Sequence, residues 1–282
     1  MILELAVGDA YGAGLEYVNK VLVNKLNNLQ SYHQHPNHPI GGGKYTDDTQ
    51  MSLAIAELLV EGTEWTPLNL ANKFVEVFKR DPRPGYAGGF YKFLQEVETG
   101  EEFLQKIRPE SDKSGAAMRA GPLGFLPNIK KVIKYSTIQA RITHDTPLGI
   151  NAAVASALMP YYFINNLGTK ENLGKFIENH VEGNWNMPWT GEVGEKGYMS
   201  VRAAITAIAE EDSLSKILKR SVDFGGDIDT VATIAMAAAA CSSEIKQDLP
   251  KELIENLENG TYGRDYLIDL DNKLKRKFRK NE

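Results

Sequence analysis

Apolar residues recur along this chain at three- and four-residue steps, the period of a helix with one buried face. Met51, Ala54, Ile55, Leu58 and Leu59 make one such stripe, followed by Gly62 as a stop. Leu70, Phe74, Val77 and Phe78 make the next, ended by Asp81-Pro82. The same spacing returns in Val201, Ala204, Ile205 and Ile208, in Leu214, Ile217 and Leu218, in Leu253, Ile254 and Leu257, and in Leu267, Leu270 and Leu274. Ala152 to Leu158 reads as a small-residue helix suited to close packing. Val231 to Cys241 is the longest apolar stretch; it contains Thr233, is too short to span a bilayer, and reads as a helix in the centre of the fold. Convincing alternation is absent, and Lys131 to Tyr135 fits either a short strand or part of a helix. The pattern predicts an all-α protein, a single compact multi-helix domain over residues 1–282, because no repeat, linker or boundary interrupts it. Loops concentrate at Ser31 to Lys44, Asp81 to Gly89, Pro109 to Pro127 and Gly183 to Gly197, where a site is expected to lie on the helical frame.

Composition narrows the picture. With 42% hydrophobic and 24% charged residues, 282 residues can bury a substantial core. A formal net charge of −5 gives no footprint for nucleic acid or an anionic membrane, so neither is expected as a partner. The start, Met1-Ile2-Leu3-Glu4, has no basic region and no long apolar run, so no secretory signal is read. Cys241 is the single cysteine, which excludes an internal disulfide framework and fits a reducing compartment; a cytoplasmic placement is expected, with Cys241 as a small core residue.

Two acidic clusters carry the candidate chemistry. Thr46-Asp47-Asp48-Thr49 follows Gly41-Gly42-Gly43, and Asp227-Ile228-Asp229-Thr230 follows Gly225-Gly226; each runs into a helical stretch. Helix capping explains either cluster alone, since Asp and Thr satisfy free N–H groups and the positive dipole end. Three features point further. Each cluster has two carboxylates where one suffices, and adjacent carboxylates repel unless a cation relieves them. On a continuing helix Asp227 and Asp229 would point about 200° apart, so they converge only if Asp227 lies in the turn before the helix. Each cluster also ends in Thr, whose hydroxyl can ligate a hard cation. Hard oxygen donors gathered from distant points suit a pair of Mg²⁺-like ions. A third segment, Gly8-Asp9-Ala10-Tyr11-Gly12-Ala13-Gly14-Leu15-Glu16, permits close backbone approach; in it Asp9 reads as an acceptor for backbone N–H groups and Glu16 as a side chain able to reach a site.

These motifs, in this order, resemble the ADP-ribosylglycohydrolase family over nearly the whole chain. Gly8-Asp9-Ala10 with Glu16 is similar to the family's opening motif, Tyr45 to Met51 to its first metal motif, and Phe224 to Ala232 to its second. Gly85-Tyr86-Ala87-Gly88-Gly89 resembles a substrate loop, Ser114-Gly115-Ala116-Ala117-Met118-Arg119 a second substrate segment, and Thr143-His144 a helix start. The resemblance implies a central cleft with two Mg²⁺ (or Mn²⁺) ions held by Thr46, Asp47, Asp48, Asp227, Asp229 and Thr230. It implies Glu16 over the substrate ribose, and Gly85, Tyr86, Gly88, Gly89, Ser114, Gly115, Ala116, Met118, Arg119 and His144 along the substrate groove. The activity implied is removal of ADP-ribose from a modified protein side chain or small conjugate by cleavage at the anomeric carbon; separately from the resemblance, a monomer is expected. In that chemistry Asp227, with Asp48 behind it, would accept a proton from the attacking water, and Glu16 would orient a ribose hydroxyl or stabilise developing positive charge. Backbone N–H groups near Gly115 and Gly88 would receive the diphosphate. Ile228, Ser114 and Ala87 depart from the family pattern, the last two on the substrate side. Asp112 and Lys113 stand where some relatives offer an aromatic residue to adenine.

Other signals read as structural. His33-x-His35-x-x-His38 lacks cysteine partners at zinc spacing and reads as a solvated loop. Gly41-Gly42-Gly43-Lys44 lacks the Ser/Thr ending and preceding strand of a phosphate loop. The basic run Lys273 to Lys280 suits a solvated helix end. Arg119 by itself reads as a salt-bridge partner. Two competing functions remain, a non-catalytic ADP-ribose-binding module and a metal-dependent nucleotide phosphohydrolase.

Overall fold

The computed structural model describes residues 1–278 and shows a helical protein; no strand occurs among the described residues. The helices, in chain order, are α1 (Ile2–Ala13), α2 (Lys20–Leu26), α3 (Asp47–Glu61), α4 (Pro67–Arg80), α5 (Gly88–Glu96), α6 (Gly100–Lys106), α7 (Gly115–Met118), α8 (Ile129–Arg141), α9 (Pro147–Ile164), α10 (Leu173–Glu178), α11 (Gly197–Glu210), α12 (Leu214–Asp223), α13 (Ile228–Ala239), α14 (Lys251–Asn256) and α15 (Arg264–Phe278). Two 3₁₀ segments, Gly121–Phe125 and Lys170–Asn172, complete them.

Local chemistry sets many of the ends. Thr66, Thr99, Asn128, Thr146 and Ser213 each accept a first-turn backbone N–H at the start of α4, α6, α8, α9 and α12. Pro67 and Pro147 occupy the first helical positions, where no N–H is needed. Gly62 ends α3 in the left-handed conformation. The cap at Asn128 resolves the ambiguity of Lys131 to Tyr135, which belongs to α8. The expected loop from Pro109 to Pro127 needs correction: α7 and the 3₁₀ segment Gly121–Phe125 lie inside it, too short to show a period.

Every residue of α13 is buried. It runs through the centre with α1 against it, and α9, α11 and α12 pack around the pair. Small residues make this possible. A Cβ on Gly8 would lie 2.8 Å from the Ala232 carbonyl oxygen, and one on Gly12 would lie 2.5 Å from Asp229 Cα. Helix α3 packs on α1, α4 and α15, which completes the floor beneath the two acidic clusters. Helix α9 has the length and mean hydropathy of a membrane span, but 72% of that window is buried inside this fold. Cys241 is half-buried just beyond α13, at the edge of the core. The basic run is a paired helix end in its described part, with Lys273 on Asp269 and Lys275 on Asp271; its residues 279 and 280 lie outside the described residues.

Candidate active site

The first acidic pair occupies the opening turn of α3. Thr46 stands at the N-cap position, yet its side chain caps nothing in its own helix. The acceptor comes instead from α1. Asp9 Oδ2 accepts the backbone N–H groups of Thr46 and Thr49, each at 2.9 Å, and the Thr49 hydroxyl at 2.6 Å. Asp9 Oδ1 accepts the Thr46 hydroxyl at 2.8 Å. A carboxylate from another helix thus satisfies the orphan donors of α3, and Asp47 and Asp48 are released from that task.

The second pair is built by a turn. Gly225 and Gly226 both have positive φ, 78° and 85°, and a Cβ on Gly226 would collide with the Val193 carbonyl. Val193 is tied on both sides: its N–H donates to Gly225 O and its carbonyl accepts from Asp227 N–H, each at 2.9 Å. Asp227 therefore sits in the turn before α13 as its N-cap residue and makes no side-chain cap bond. This is the geometry needed for Asp227 and Asp229 to face one point. Glu16, just beyond α1, joins them, and the three carboxylates offer oxygens all within 4.8 Å of one another.

These groups floor a cavity of 610 Å³ whose lining includes Glu16, Asp47, Asp48, Asp227, Asp229 and Thr230. Oxygen Oδ1 of Asp48 is buried without a hydrogen-bond partner. Burial of so many carboxyls raises every one of their pKa values. Glu16 is pushed up to about 8 by burial first and then by the charges of Asp227 and Asp9. Asp47, Asp48 and Asp229 rise well above the carboxylate range, again by burial and then by their acidic neighbours. Asp227 also rises through burial, although hydroxyls including those of Thr230, Ser114 and Ser200 pull it down. Buried, mutually repelling oxygen donors with one orphaned atom fit a divalent cation, and this acidic group could hold a metal.

A polar relay crosses to the other wall. The Arg119 guanidinium is buried and has hydrogen bonds rather than the expected salt bridge. Nε donates to Gln139 Oε1 at 2.6 Å, and Nη2 donates to Gln139 O at 3.0 Å and to Thr143 Oγ1 at 2.8 Å. Thr143 Oγ1 lies 2.7 Å from His144 Nδ1. Arginine can only donate, so the Thr143 oxygen accepts from it; we assign the remaining hydroxyl proton to Nδ1, which puts the ring proton of His144 on Nε2. Burial, and next the Arg119 charge, lower its pKa to about 3, so the ring is neutral. The ring lines the cavity beside Gly115, where a Cβ would come within 3.3 Å of Nε2. The cavity thus receives a fixed, uncharged N–H donor.

Most residues singled out in the sequence meet here. Gly85, Tyr86, Gly89, Ser114, Gly115, Met118, Arg119 and His144 line the cavity with the acidic group. Tyr86 is held by its own hydroxyl, which donates to Gln50 Oε1 at 2.7 Å. Three stand back from it. Thr46 is buried on Asp9, Ala116 is packed against Ala140 and Ala153, and Gly88 is exposed on α5 away from the lining. The solvated reading of the histidine loop is wrong for His35, which is 3% exposed because both ring nitrogens bond to backbone. Sequence reasoning missed Tyr17, Phe90, Phe93, Ile107, Arg108 and Glu195 in the lining. Phe90 and Phe93 share a helix face with Leu94, so their spacing looks the same as a core stripe.

A sequence model of the ADP-ribosylglycohydrolase family matches residues 1–282. ADP-ribosylhydrolase ARH3 of Mus musculus is 24% identical over 86% of this chain and 82% of its own length. ADP-ribosyl-dinitrogen reductase glycohydrolase of Rhodospirillum rubrum is 27% identical over 91% of this chain and 88% of its own. Among solved structures, an ADP-ribosylglycohydrolase-related protein complex superposes with a TM-score of 0.75 at 20% identity, covering 99% of this chain and 96% of that one, which supports the fold.

Proposed function

The chain belongs to the ADP-ribosylglycohydrolase family, and from that premise we propose that it hydrolyses the bond between the anomeric carbon of ADP-ribose and a protein or small-molecule acceptor. The observation that carries this reading is the convergence of Glu16, Asp48, Asp227 and Asp229 in one cavity, with the helix ends beneath them capped from elsewhere. Asp47, Asp48, Asp227 and Asp229, with the hydroxyl of Thr230, would hold two Mg²⁺ or Mn²⁺ ions. Bound there, the ions would neutralise the buried carboxylates, orient the ribose hydroxyls and lower the pKa of the attacking water.

The protein's own groups divide the remaining work. Asp227 makes no cap bond at α13, with the Ser200 hydroxyl 3.5 Å from its Oδ2, and is the group to accept the proton as the water oxygen bonds to the anomeric carbon. Cleavage builds positive charge on the ribose, and Glu16 lies where a carboxylate would face that charge or hold a ribose hydroxyl. His144 Nε2–H donates to an oxygen of the bound nucleotide from the opposite wall. Phe90 and Phe93, partly exposed with rings 5.8 Å apart, give the cavity an apolar side suited to a base, where Asp112 and Lys113 offer none.

The test is product identity. Peptides ADP-ribosylated on arginine or on serine, incubated with the protein and Mg²⁺, should release intact ADP-ribose from at least one linkage. Release of nucleoside monophosphate or inorganic phosphate would assign a phosphohydrolase, and tight ADP-ribose binding without release would assign a binding module.

A further inference from the structure

The histidine tract has a use that its spacing does not reveal. Nδ1 of His35 accepts the backbone N–H groups of Asn37 and His38, both at 3.0 Å. A ring nitrogen that accepts two hydrogen bonds carries no proton, so the proton of this ring is on Nε2. Nε2 lies 2.8 Å from the backbone carbonyl oxygen of Glu16 and donates to it. The N–H of Tyr17 belongs to the same peptide unit as that carbonyl, and it donates to Gly226 O at 3.0 Å. One peptide group, the one that follows Glu16, is therefore pinned at both of its polar atoms. His35 holds one end and the turn before Asp227 holds the other. Tyr17 takes a φ of 48°, a left-handed conformation uncommon for a residue with a Cβ, and the two bonds maintain it. The backbone at Glu16 can then neither rotate nor drift, and only its side-chain torsions are left to aim the carboxylate.

We propose that His35 is a positioning residue, fixing the Glu16 peptide so that this carboxylate stays beside Asp227 and Asp229. The part of the proposal that concerns turnover rests on the glycohydrolase reading; the part that concerns the peptide does not. The ring does two separable things, and two substitutions separate them. His35→Asn places a side-chain oxygen near the Nδ1 position, able to accept from Asn37 and His38 as in an Asx-turn, but it is too short to reach Glu16. His35→Gln places an amide N–H near the Nε2 position, able to reach Glu16 O, and gives up the Nδ1 contacts.

Hydrogen exchange resolved to single amides in the full chain, without substrate, is the first readout. In His35→Asn the Tyr17 amide should exchange about two- to tenfold faster, the range one net hydrogen bond supports, while the amides of 37 and 38 stay slow. In His35→Gln the pattern should reverse. The second readout is turnover of the peptide that the wild type cleaves: kcat should fall about tenfold in His35→Asn and largely recover in His35→Gln. Unchanged Tyr17 exchange in His35→Asn would overturn the proposal. So would equal losses of kcat in both variants, which mark His35 as a support of its own loop only. If the wild type releases no ADP-ribose, the glycohydrolase reading fails, and the exchange pattern still decides the role of His35.

Discussion

Replacing Gly12 with alanine should destabilise the protein, although the same change inside a helix ordinarily stabilises. Gly12 lies within α1, where alanine gains about 1 kcal/mol in helix propensity. The packing opposes this. The new Cβ would stand 2.5 Å from Asp229 Cα and 2.8 Å from Asp229 N. Both are backbone atoms at the start of a fully buried helix, so no side chain can swing aside, and overpacking of this kind costs about 3 kcal/mol, the upper end of its usual range. The net loss is about 2 kcal/mol, or about 4 °C in Tm for a chain of this size. Gly88→Ala is the control. It opens α5, and no heavy atom lies within 4 Å of its Cβ position, so its melting temperature should stay level or rise slightly. Differential scanning calorimetry of both variants and the wild type measures the difference. The displacement of α13 should also weaken Mn²⁺ binding, measured by titration, in Gly12→Ala alone. A Gly12→Ala protein that melts at or above the wild type would refute the claim that contact between α1 and α13 sets the site.

Three further outcomes are expected. The site carboxyls have folded pKa values above their unfolded ones, so without divalent ions the folded chain binds more protons than the unfolded chain; stability should fall as pH rises from about 4.5 toward about 8, the value for Glu16. Saturating Mg²⁺ or Mn²⁺ should remove that fall and add ~2.7 kcal/mol at a hundredfold excess over Kd, and equal melting with chelator and with metal would count against the cation site. Asp9→Ala leaves the buried N–H groups of Thr46 and Thr49 without acceptors and should cost about 2–6 kcal/mol in urea denaturation, with Asp9→Asn costing less because one oxygen remains; wild-type stability in Asp9→Ala would be the contrary result. Thr143→Val cuts the link between Arg119 and His144, so ¹⁵N NMR should show His144 shift from a single Nε2–H tautomer to a mixture, with Thr143→Ser restoring it; an unmoved tautomer would show that the relay does not set it.

The helical class was legible because long stripes such as Leu70 to Phe78 repeat at a period that only a helix uses. The two carboxylate pairs were legible because each had one acidic residue more than a cap requires. Asp9 was legible as an acceptor for backbone N–H groups, but not that those groups belong to α3: glycines let α1 touch α13, and no local pattern says which helix start Asp9 then meets. Ala116 and Thr46 show the opposite limit. Both lie within motifs of the site, yet packing turns Ala116 toward Ala140 and Ala153, and Asp9 takes the Thr46 hydroxyl. His35 was misread because its partners are backbone atoms, and backbone partners leave no trace in residue spacing. Phe90 and Phe93 were hidden among core aromatics because exposure on one edge of a helix depends on what packs beyond it.

Asp227→Asn is the substitution on which the central claim turns. Asparagine keeps the size and caps helices as well as aspartate does, but it can neither carry the charge nor accept the proton. The Asp227 side chain makes no cap bond at α13, so the exchange should leave the fold intact. The measurement is the rate of ADP-ribose release from an ADP-ribosylated peptide under saturating Mg²⁺, for the wild type and for a variant with wild-type circular dichroism. The expected result is release by the wild type and none by Asp227→Asn; a folded Asp227→Asn protein that releases ADP-ribose at the wild-type rate would contradict the assignment.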